Sequence, residues 1–292
     1  MKVAAFTIAG ERRIGVVDVD RGTIAAFDLP SHEAESGVLV LIEHSDPGAI
    51  RTLEPVELAR VTLEAPVPRP RRNIFCVGKN YHEHAHEFAN SGFDSSAANG
   101  AVPSAPIVFS KVPETVIATN RTVGIDVRVS SAIDYEAELA VIIGRAGRAI
   151  KPQDAFDHVW GYTIVNDVTA RDLQGRYSQW LIGKSQDGFC PMGPWAVTRD
   201  EVDIASAGIR CFVNGDLRQN SNTGLLIFDI PTIISTISAG ITLQPGDIIA
   251  TGTPAGVGVG FSPPRYLKNG DVVRVEIDGI GTLENRFEDM AA

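Results

Sequence analysis

The sequence contains few cysteines, no dense cluster of positive charge and no long membrane-compatible segment, and each absence excludes a class of protein. Its three cysteines, Cys76, Cys190 and Cys211, are widely spaced, which predicts buried thiols in a reducing compartment and excludes a disulfide framework or a zinc cluster. With 26 Lys and Arg against 36 Asp and Glu, the net charge of -10 excludes a nucleic-acid partner. The long uncharged stretches, residues 230–246 and 248–264, contain Pro, Gly, Ser and Thr throughout and predict no membrane helix. We therefore expect a cytoplasmic protein that does not bind membranes.

The order of apolar runs and turn residues predicts a β-rich α+β protein with two units. Short apolar runs separated by turn residues predict a small β-meander over residues 1–28. A signal peptide is not expected, because charged residues interrupt the apolar N-terminal run too early. Prolines at every second position over residues 66–70 indicate an extended connector, so we predict a small N-terminal α/β domain over residues 1–70 and a larger domain over 71–292. Short helices are predicted at residues 37–44 and 55–61. Strands dominate the larger domain, with hairpin turns at Asn214-Gly215 and Asp278-Gly279 and one convincing helix over residues 228–238.

Three carboxylates form the strongest chemical signal. Glu136 and Glu138 are two residues apart on a predicted strand, so both side chains project from the same face. Asp167 follows another apolar run, at the end of a second predicted strand. Three carboxylates are the ligands that Mg²⁺ or Mn²⁺ prefers, whereas zinc in a structural site prefers Cys or His. The alternatives are two surface acids at the mouth of a strand for Glu136 and Glu138, and a cap for the following turn at Asp167.

Two further segments contain residues suited to binding an anion. Lys184 lies in Gly183-Lys184-Ser185, which resembles the end of a phosphate-binding loop, but Ser178 occupies the required glycine position and excludes that motif. Lys184 is therefore either a cation that stabilises a developing oxyanion or an ordinary surface lysine. The glycine-rich segment over residues 251–258 predicts either a loop that aims backbone N–H groups at an anion or a plain tight turn.

A histidine-rich segment supplies a candidate base. Residues 82–86 match the zinc-protease pattern H-E-x-x-H, but the predicted helix is short and runs into Asn90 and Gly92. His84 and Glu87, three residues apart, share one face of a helical turn, and a carboxylate beside an imidazole gives a base able to activate water. An exposed polar turn is the alternative. Residues 88–106 are predicted to form a loop over this site.

Together these segments resemble the fumarylacetoacetate hydrolase family, in its branch of acylpyruvases and 2-hydroxyhepta-2,4-diene-1,7-dioate isomerases. The matching stretches are residues 74–81, 84–87, 106–111, 134–138, 161–162, 166–174, 183–185, 193–194, 213–215, 245–247 and 251–258, in the same order and spacing. The resemblance implies a C-terminal β-roll or sandwich domain, a smaller N-terminal domain and a homodimer. It also implies Mg²⁺ or Mn²⁺ bound by Glu136, Glu138 and Asp167.

The remaining site residues are implied by the same resemblance. His84 and Glu87 become a water-activating dyad and Lys184 faces the bound substrate. The substrate's carboxylate and oxo groups would be positioned by Lys111, Arg171, Gln174 and Thr253. Gln186 occupies a position where the family often has an aromatic residue, which leaves that part of the pocket wall undefined.

These parts support one leading function and several alternatives. The leading hypothesis is a metal-dependent hydrolase that cleaves a C–C bond in a small 2,4-dioxo acid of the acylpyruvate or fumarylpyruvate type, in aromatic catabolism, through a metal-chelated enolate and water activated by His84 and Glu87. The alternative is a decarboxylase, isomerase or tautomerase of an oxaloacetate-like or hydroxymuconate-like 2-oxo acid. Two further hypotheses involve no reaction of a 2-oxo acid: a zinc protease and a metal-binding scaffold protein.

Overall fold

The computed structural model describes residues 1–44, 47–93 and 101–290 and confirms a β-rich α+β fold. Residues 94–100 of the expected loop lie outside this description. The strands in chain order are β1 (Lys2–Ile8), β2 (Glu11–Asp18), β3 (Thr23–Ala26), β4 (Val56–Glu57), β5 (Thr62–Leu63), β6 (Ile74–Gly78), β7 (Ile107–Lys111), β8 (Val116–Ile117), β9 (Thr122–Ile125), β10 (Ile133–Asp134), β11 (Ala137–Ile143), β12 (Val159–Asn166), β13 (Thr169–Ala170), β14 (Cys190–Thr198), β15 (Gly208–Val213), β16 (Asp216–Asn222), β17 (Ile248–Ala250), β18 (Val272–Ile277) and β19 (Gly281–Asp289).

Helices are short and few in the described part of the chain. They are α1 (Ser31–Ala34), α2 (Leu39–Glu43), α3 (His82–Ala89), α4 (Arg171–Arg176), α5 (Leu181–Lys184) and α6 (Ile230–Ser238). The helix predicted over residues 228–238 is confirmed as α6. It begins where the Asp229 side chain accepts a hydrogen bond from Thr232 N–H, and it buries an isoleucine stripe that includes Ile233 and Ile237.

A large mixed sheet carries the N-terminal meander and the middle of the chain. Its main path is β4-β3-β2-β1-β14-β12-β11-β17-β6-β7, with β5 paired to β1 and β8 paired to β14. The predicted meander is confirmed as β1 to β3, and β1 continues into the sheet because Lys2 pairs with Val197 of β14. The helix predicted at residues 55–61 is wrong: Val56 pairs with Ile24 at the sheet edge, and one 3₁₀ turn, Leu58–Arg60, follows.

A second sheet packs against the first and closes the core. Its order is β16-β15-β18-β19-β9, and both predicted hairpin turns are confirmed, at Asn214-Gly215 and Asp278-Gly279. Strand β12 of the large sheet contacts β18 and β19 of the second, and β14 contacts β19. One apolar cluster therefore spans both sheets and includes Leu139, Tyr162, Val275 and Leu283, which are buried.

Two observations bear on the expectations drawn from composition. All three cysteines are free and buried, as predicted. Among the helices of the described residues, none combines the length and the apolar character needed to span a lipid bilayer.

Candidate metal and substrate site

The pairing of β11 with β12 brings the three predicted carboxylates together. Glu138 lies on β11 and Glu136 immediately precedes that strand, whereas Asp167 immediately follows β12. The register pairs Ala137 with Asn166, and Asp167 N–H donates to the Glu136 carbonyl at 2.9 Å, so Asp167 lies directly across from Glu136. One ligand oxygen from each side chain lies within 4.8 Å of the others, and all three residues are buried. This set could hold a divalent metal ion.

A network of buried cations surrounds the carboxylates. Lys184 Nζ donates to Glu136 at 2.8 Å and to Asp167 at 2.7 Å. Arg171 contacts Glu136 at 2.7 Å and donates to Asp134 at 2.8 Å. The pattern is typical of a site built for charged groups, because several kcal/mol are needed to bury each of these ions without a partner.

Glu138 is the carboxylate that this network leaves least neutralised. Within the described residues it forms no ion pair, although it accepts a hydrogen bond from Gly252 N–H at 2.9 Å. Burial, together with the charges of Asp167 and Glu136, raises the pKa of Glu138 well above its usual value. Burial alone would also raise the pKa of Glu136, but Lys184 and Arg171 lower it to about 2. Without a cation the site therefore favours a proton on Glu138, and a bound metal ion would take the place of that proton.

Close packing between two short helices places Lys184. Gly183 lies against the start of α4, and a Cβ there would come within 2.6 Å of Gln174 N and 2.8 Å of the Ala170 carbonyl oxygen. Lys184 ends α5 with its ammonium 4.8 Å from the centre of the Phe109 ring. Gly183 thus permits the close contact between α4 and α5 that places Lys184 beside the carboxylates. Lys184 is buried, which excludes the surface-lysine alternative.

Lys111 contacts groups of the protein itself. Its Nζ donates to Asp167 at 2.7 Å, to the Val168 carbonyl at 3.0 Å and to the Lys184 carbonyl. Lys111 is fully buried, and it is not among the residues that line the cavity beside the metal ligands. Its ammonium is used to hold Asp167 and the end of α5, so substrate contact by Lys111 stays a prediction.

The predicted dyad lies on α3 and faces the site. His84 Nδ1 lies 3.1 Å from Glu87 Oε2, and Gly256 N–H donates to Glu87 Oε1 at 3.0 Å. His84 is buried and lines the cavity, whereas His82 and His86 are exposed on the other face of the helix. The H-E-x-x-H pattern therefore does not assemble a zinc site. In the described part of the chain, the carboxylate triad is the one group of three or more ligand residues within reach of a single ion.

The cavity is small and lined by charged residues on one side and aromatic residues on the other. The space that it leaves open to a water-sized molecule is about 10 Å³. Thr253 and Gln174 line it, and so does Arg171, whose Nη2 is buried without a hydrogen-bond partner among the described residues. The apolar wall is formed by Phe88, Phe109 and Trp180. Gln186 is not part of this lining.

The glycine-rich loop serves a purpose that its pattern only partly predicts. Its backbone N–H groups do point at anions, but these are the protein's own carboxylates. Gly252 N–H donates to Glu138 and Gly256 N–H to Glu87, while Gly258 N–H donates to Asp134 at 2.6 Å. Gly256 has φ +101, and a Cβ there would lie 2.0 Å from the Arg218 carbonyl oxygen. The loop therefore orients site residues on two strands and one helix.

Four site residues received no role in the sequence analysis. Asp134 binds Arg171 and the glycine loop, and the alternation Asp134, Glu136, Glu138 was a signal that could have identified it. Asn166 Oδ1 accepts from Glu136 N–H at 3.0 Å. Lys79 lines the cavity with φ 55, an uncommon conformation for a residue other than glycine. Gln219 contacts Thr253 from the second sheet, and no local pattern marks it.

The chain is similar to several known proteins. The family profile "Fumarylacetoacetate (FAA) hydrolase C-terminal" matches residues 73–288. The oxaloacetate tautomerase YisK of Bacillus subtilis is 49% identical over 231 residues, which cover 79% of this chain and 74% of that protein. A fumarylacetoacetate hydrolase from Exiguobacterium antarcticum is 40% identical, with TM-score 0.81 over 99% of both chains. A maleylpyruvate hydrolase from Sphingobium sp. SYK-6, in complex with manganese(II) and pyruvate, is 32% identical, with TM-score 0.76 over 99% of both chains.

Proposed function

This chain belongs to the fumarylacetoacetate hydrolase family, and from that premise we propose that it is a metal-dependent tautomerase of a small 2-oxo dicarboxylic acid such as oxaloacetate. The similarity to oxaloacetate tautomerases favours this reading over C–C bond hydrolysis, which the sequence analysis placed first. Tautomerisation moves one proton between the carbon next to the 2-oxo group and the oxo oxygen. It therefore needs a base and a stabilised oxygen, and no water or co-reactant.

The observation that carries the proposal is the position of His84 in the cavity wall. His84 lines the cavity, and an imidazole is the side chain most often used as a general acid or base. Glu87, 3.1 Å away, orients the imidazole and is itself held by Gly256. The dyad can remove the proton next to the oxo group and return it to the enol oxygen, so atoms balance within one substrate molecule.

The cations of the site are arranged for the oxygens of such a substrate. Burial alone would lower the pKa of Lys184, but Asp167 and Glu136 raise it, so the ammonium keeps its charge and can stabilise negative charge on the oxo oxygen. Arg171 Nη2 has no partner among the described residues, and Arg171 lines the cavity beside Gln174. Nη2 can therefore donate a charge-assisted hydrogen bond to a substrate carboxylate oxygen.

We further propose that Glu136, Glu138 and Asp167 bind Mg²⁺ or Mn²⁺. The donor set fits a hard ion, because it is all oxygen and each carboxylate has lone pairs that its protein partners do not use. When bound, the ion would act as a Lewis acid that polarises the 2-oxo group. The chain's own residues would perform the proton transfer.

Hydrolysis is the second candidate, and the same dyad favours it. A base held by a carboxylate can also activate water, and the similar maleylpyruvate hydrolase was crystallised with manganese(II) and pyruvate. The two reactions differ in their products. Hydrolysis of acetylpyruvate or fumarylpyruvate in ¹⁸O-water would place ¹⁸O in a released carboxylate, whereas tautomerisation of oxaloacetate releases nothing.

The decisive experiment measures oxaloacetate keto–enol conversion by the ultraviolet absorbance of the enol, with Mg²⁺ or Mn²⁺ and a metal-only control for the spontaneous reaction. We expect His84→Gln to lower kcat by about 10²- to 10⁴-fold. His86→Gln, on the exposed face of the same helix, is the matched control and should retain activity. Equal rates for wild type and the metal-only control would refute the tautomerase. If acylpyruvates also failed to react, the scaffold reading would be favoured.

The predicted homodimer is part of the same proposal. Light scattering coupled to size-exclusion chromatography should give twice the 31.2 kDa chain mass. A mass of one chain would contradict it.

A further inference from the structure

Gln219 is a buried polar residue that connects the second sheet to the site. It lies on β16, where Cys211 pairs with Gln219 but the next residue, Phe212, pairs with Leu217, so Arg218 is the extra residue of a β-bulge. A bulge redirects neighbouring side chains. The Gln219 side chain is fully buried and contacts both the segment that carries the metal ligands and the glycine-rich loop.

The hydrogen bonds of Gln219 determine which way its amide faces. Ala137 N–H lies 3.0 Å from Oε1, and a backbone N–H can only donate. The Pro254 carbonyl lies 2.7 Å from Nε2 and can only accept. The carbonyl end of the amide therefore faces Ala137, and the NH₂ end faces Pro254 and Thr253.

This orientation determines the role of the Thr253 hydroxyl. Nε2 donates to Thr253 Oγ1 at 2.7 Å, so the hydroxyl accepts from Gln219 and its own proton must point elsewhere. Thr253 lines the cavity and makes no other side-chain hydrogen bond among the described residues. The hydroxyl proton is thus available to a ligand oxygen.

We propose that Gln219 is a positioning residue that makes Thr253 a fixed hydrogen-bond donor toward a carboxylate or oxo oxygen of the substrate. The inference rests on the proposed function in one respect, that Thr253 contacts the substrate. It deepens that function, because a hydroxyl proton directed into the cavity favours ligands that present an acceptor oxygen at that place.

The same side chain also supports the metal ligands. Ala137 lies between Glu136 and Glu138, and its N–H would lack this side-chain partner without Gln219. A purely structural role would therefore disturb metal binding and stability. The proposed role predicts in addition a specific energetic coupling to Thr253, which separates the two.

The test is a double-mutant cycle with oxalate as a non-reacting probe, measured by calorimetry on the full chain with Mn²⁺. Gln219→Met removes the donor and Thr253→Val removes the acceptor of the hydrogen bond between the two side chains, and each substitution keeps the side-chain volume similar. We expect each to weaken oxalate binding about 10- to 100-fold, the range for a hydrogen bond to a charged group. The double variant should bind as the single variants do. Thr253→Ser keeps the hydroxyl and should bind as wild type.

Several outcomes would overturn the proposal. These are losses that multiply in the double variant, wild-type binding by Gln219→Met, or a Gln219→Met defect confined to Mn²⁺ affinity. If Gln219→Met does not fold, Gln219→Glu replaces it in the cycle, because a carboxylate can still accept from Ala137 but would turn the Thr253 proton away from the cavity.

The cycle is independent of turnover. Wild type that binds oxalate but leaves oxaloacetate unconverted would refute the tautomerase while the cycle still decides the role of Gln219. Absence of Mn²⁺-dependent oxalate binding in wild type would refute both. For an active enzyme, KM should rise more than kcat falls in Gln219→Met.

Discussion

Glu138 provides the sharpest test of the metal site, through the substitution Glu138→Gln. It is the triad member with no ion pair among the described residues, so a divalent ion should relieve its charge. An ion present at 100 times its Kd stabilises the folded chain by about 2.7 kcal/mol. For a chain of this size that free energy corresponds to a rise in Tm of about 5–10 °C.

Loss of this ligand should nearly abolish the stabilisation. Substitution of a residue that merely supports a metal ligand can weaken binding 100-fold, and we take that factor as the minimum here. At the same metal concentration the stabilisation then falls to about 0.4 kcal/mol, or a Tm change of about 1 °C. Glu83→Gln, which removes an exposed acid from α3, is the matched control and should keep the full shift.

Without metal, the order of thermal stability of wild type and Glu138→Gln should be reversed. Because the pKa of Glu138 is raised in the folded state, its contribution is favourable below the unfolded value of 4.5 and is lost as pH rises through the folded pKa. At neutral pH, metal-free Glu138→Gln should therefore unfold at a higher temperature than metal-free wild type. Differential scanning fluorimetry with Mn²⁺, Mg²⁺ or EDTA measures both effects. Equal metal shifts in Glu138→Gln and wild type would refute the assignment.

Three other perturbations test the surrounding structure. Gly183→Ala should displace α5 and lower kcat at least tenfold, because the added Cβ would meet backbone atoms of α4. Gly240→Ala is the control: the added Cβ would lie in open space, so kcat in the same assay should not change. Lys111→Met should lower the free energy of unfolding by about 3–5 kcal/mol in urea titrations, since it removes one of the two buried ammonium groups that pair with the Asp167 carboxylate. A loss as small as that of Arg128→Met, in an exposed pair, would contradict this. The three buried thiols should resist an aromatic disulfide reagent at pH 8 until the chain unfolds. Burial raises the pKa of Cys190 to about 12 and also raises the pKa values of Cys76 and Cys211, so little reactive thiolate forms. Rapid labelling of the folded protein would contradict this prediction.

Local pattern was sufficient wherever the information lies within a few residues. Hairpin turns at Asn214-Gly215 and Asp278-Gly279 and helix α6 were predictable, because turn chemistry, capping and periodicity are local. The prediction failed at residues 55–61, where pairing of Val56 with Ile24 outweighs helical spacing. A two-residue edge strand is decided by its partner, which local sequence does not identify.

The candidate site divides in the same way. The sequence by itself determined which residue types were available for metal and proton chemistry: Glu136, Glu138 and Asp167 for an ion, His84 and Glu87 for a base. Strand alternation and helical spacing place each pair on one face. The position of Asp167 across from Glu136 depends on the register in which β11 pairs with β12.

Only the tertiary structure decided what each buried charge contacts. It placed Lys111 beneath Asp167, away from the cavity, and used the loop N–H groups for Glu87, Asp134 and Glu138. It also brought Gln219 from the second sheet to Thr253, 34 residues away in sequence. The physical reason is that a buried polar group must be satisfied by whichever partner the packing of sheets and loops delivers, and that partner is fixed by the whole fold.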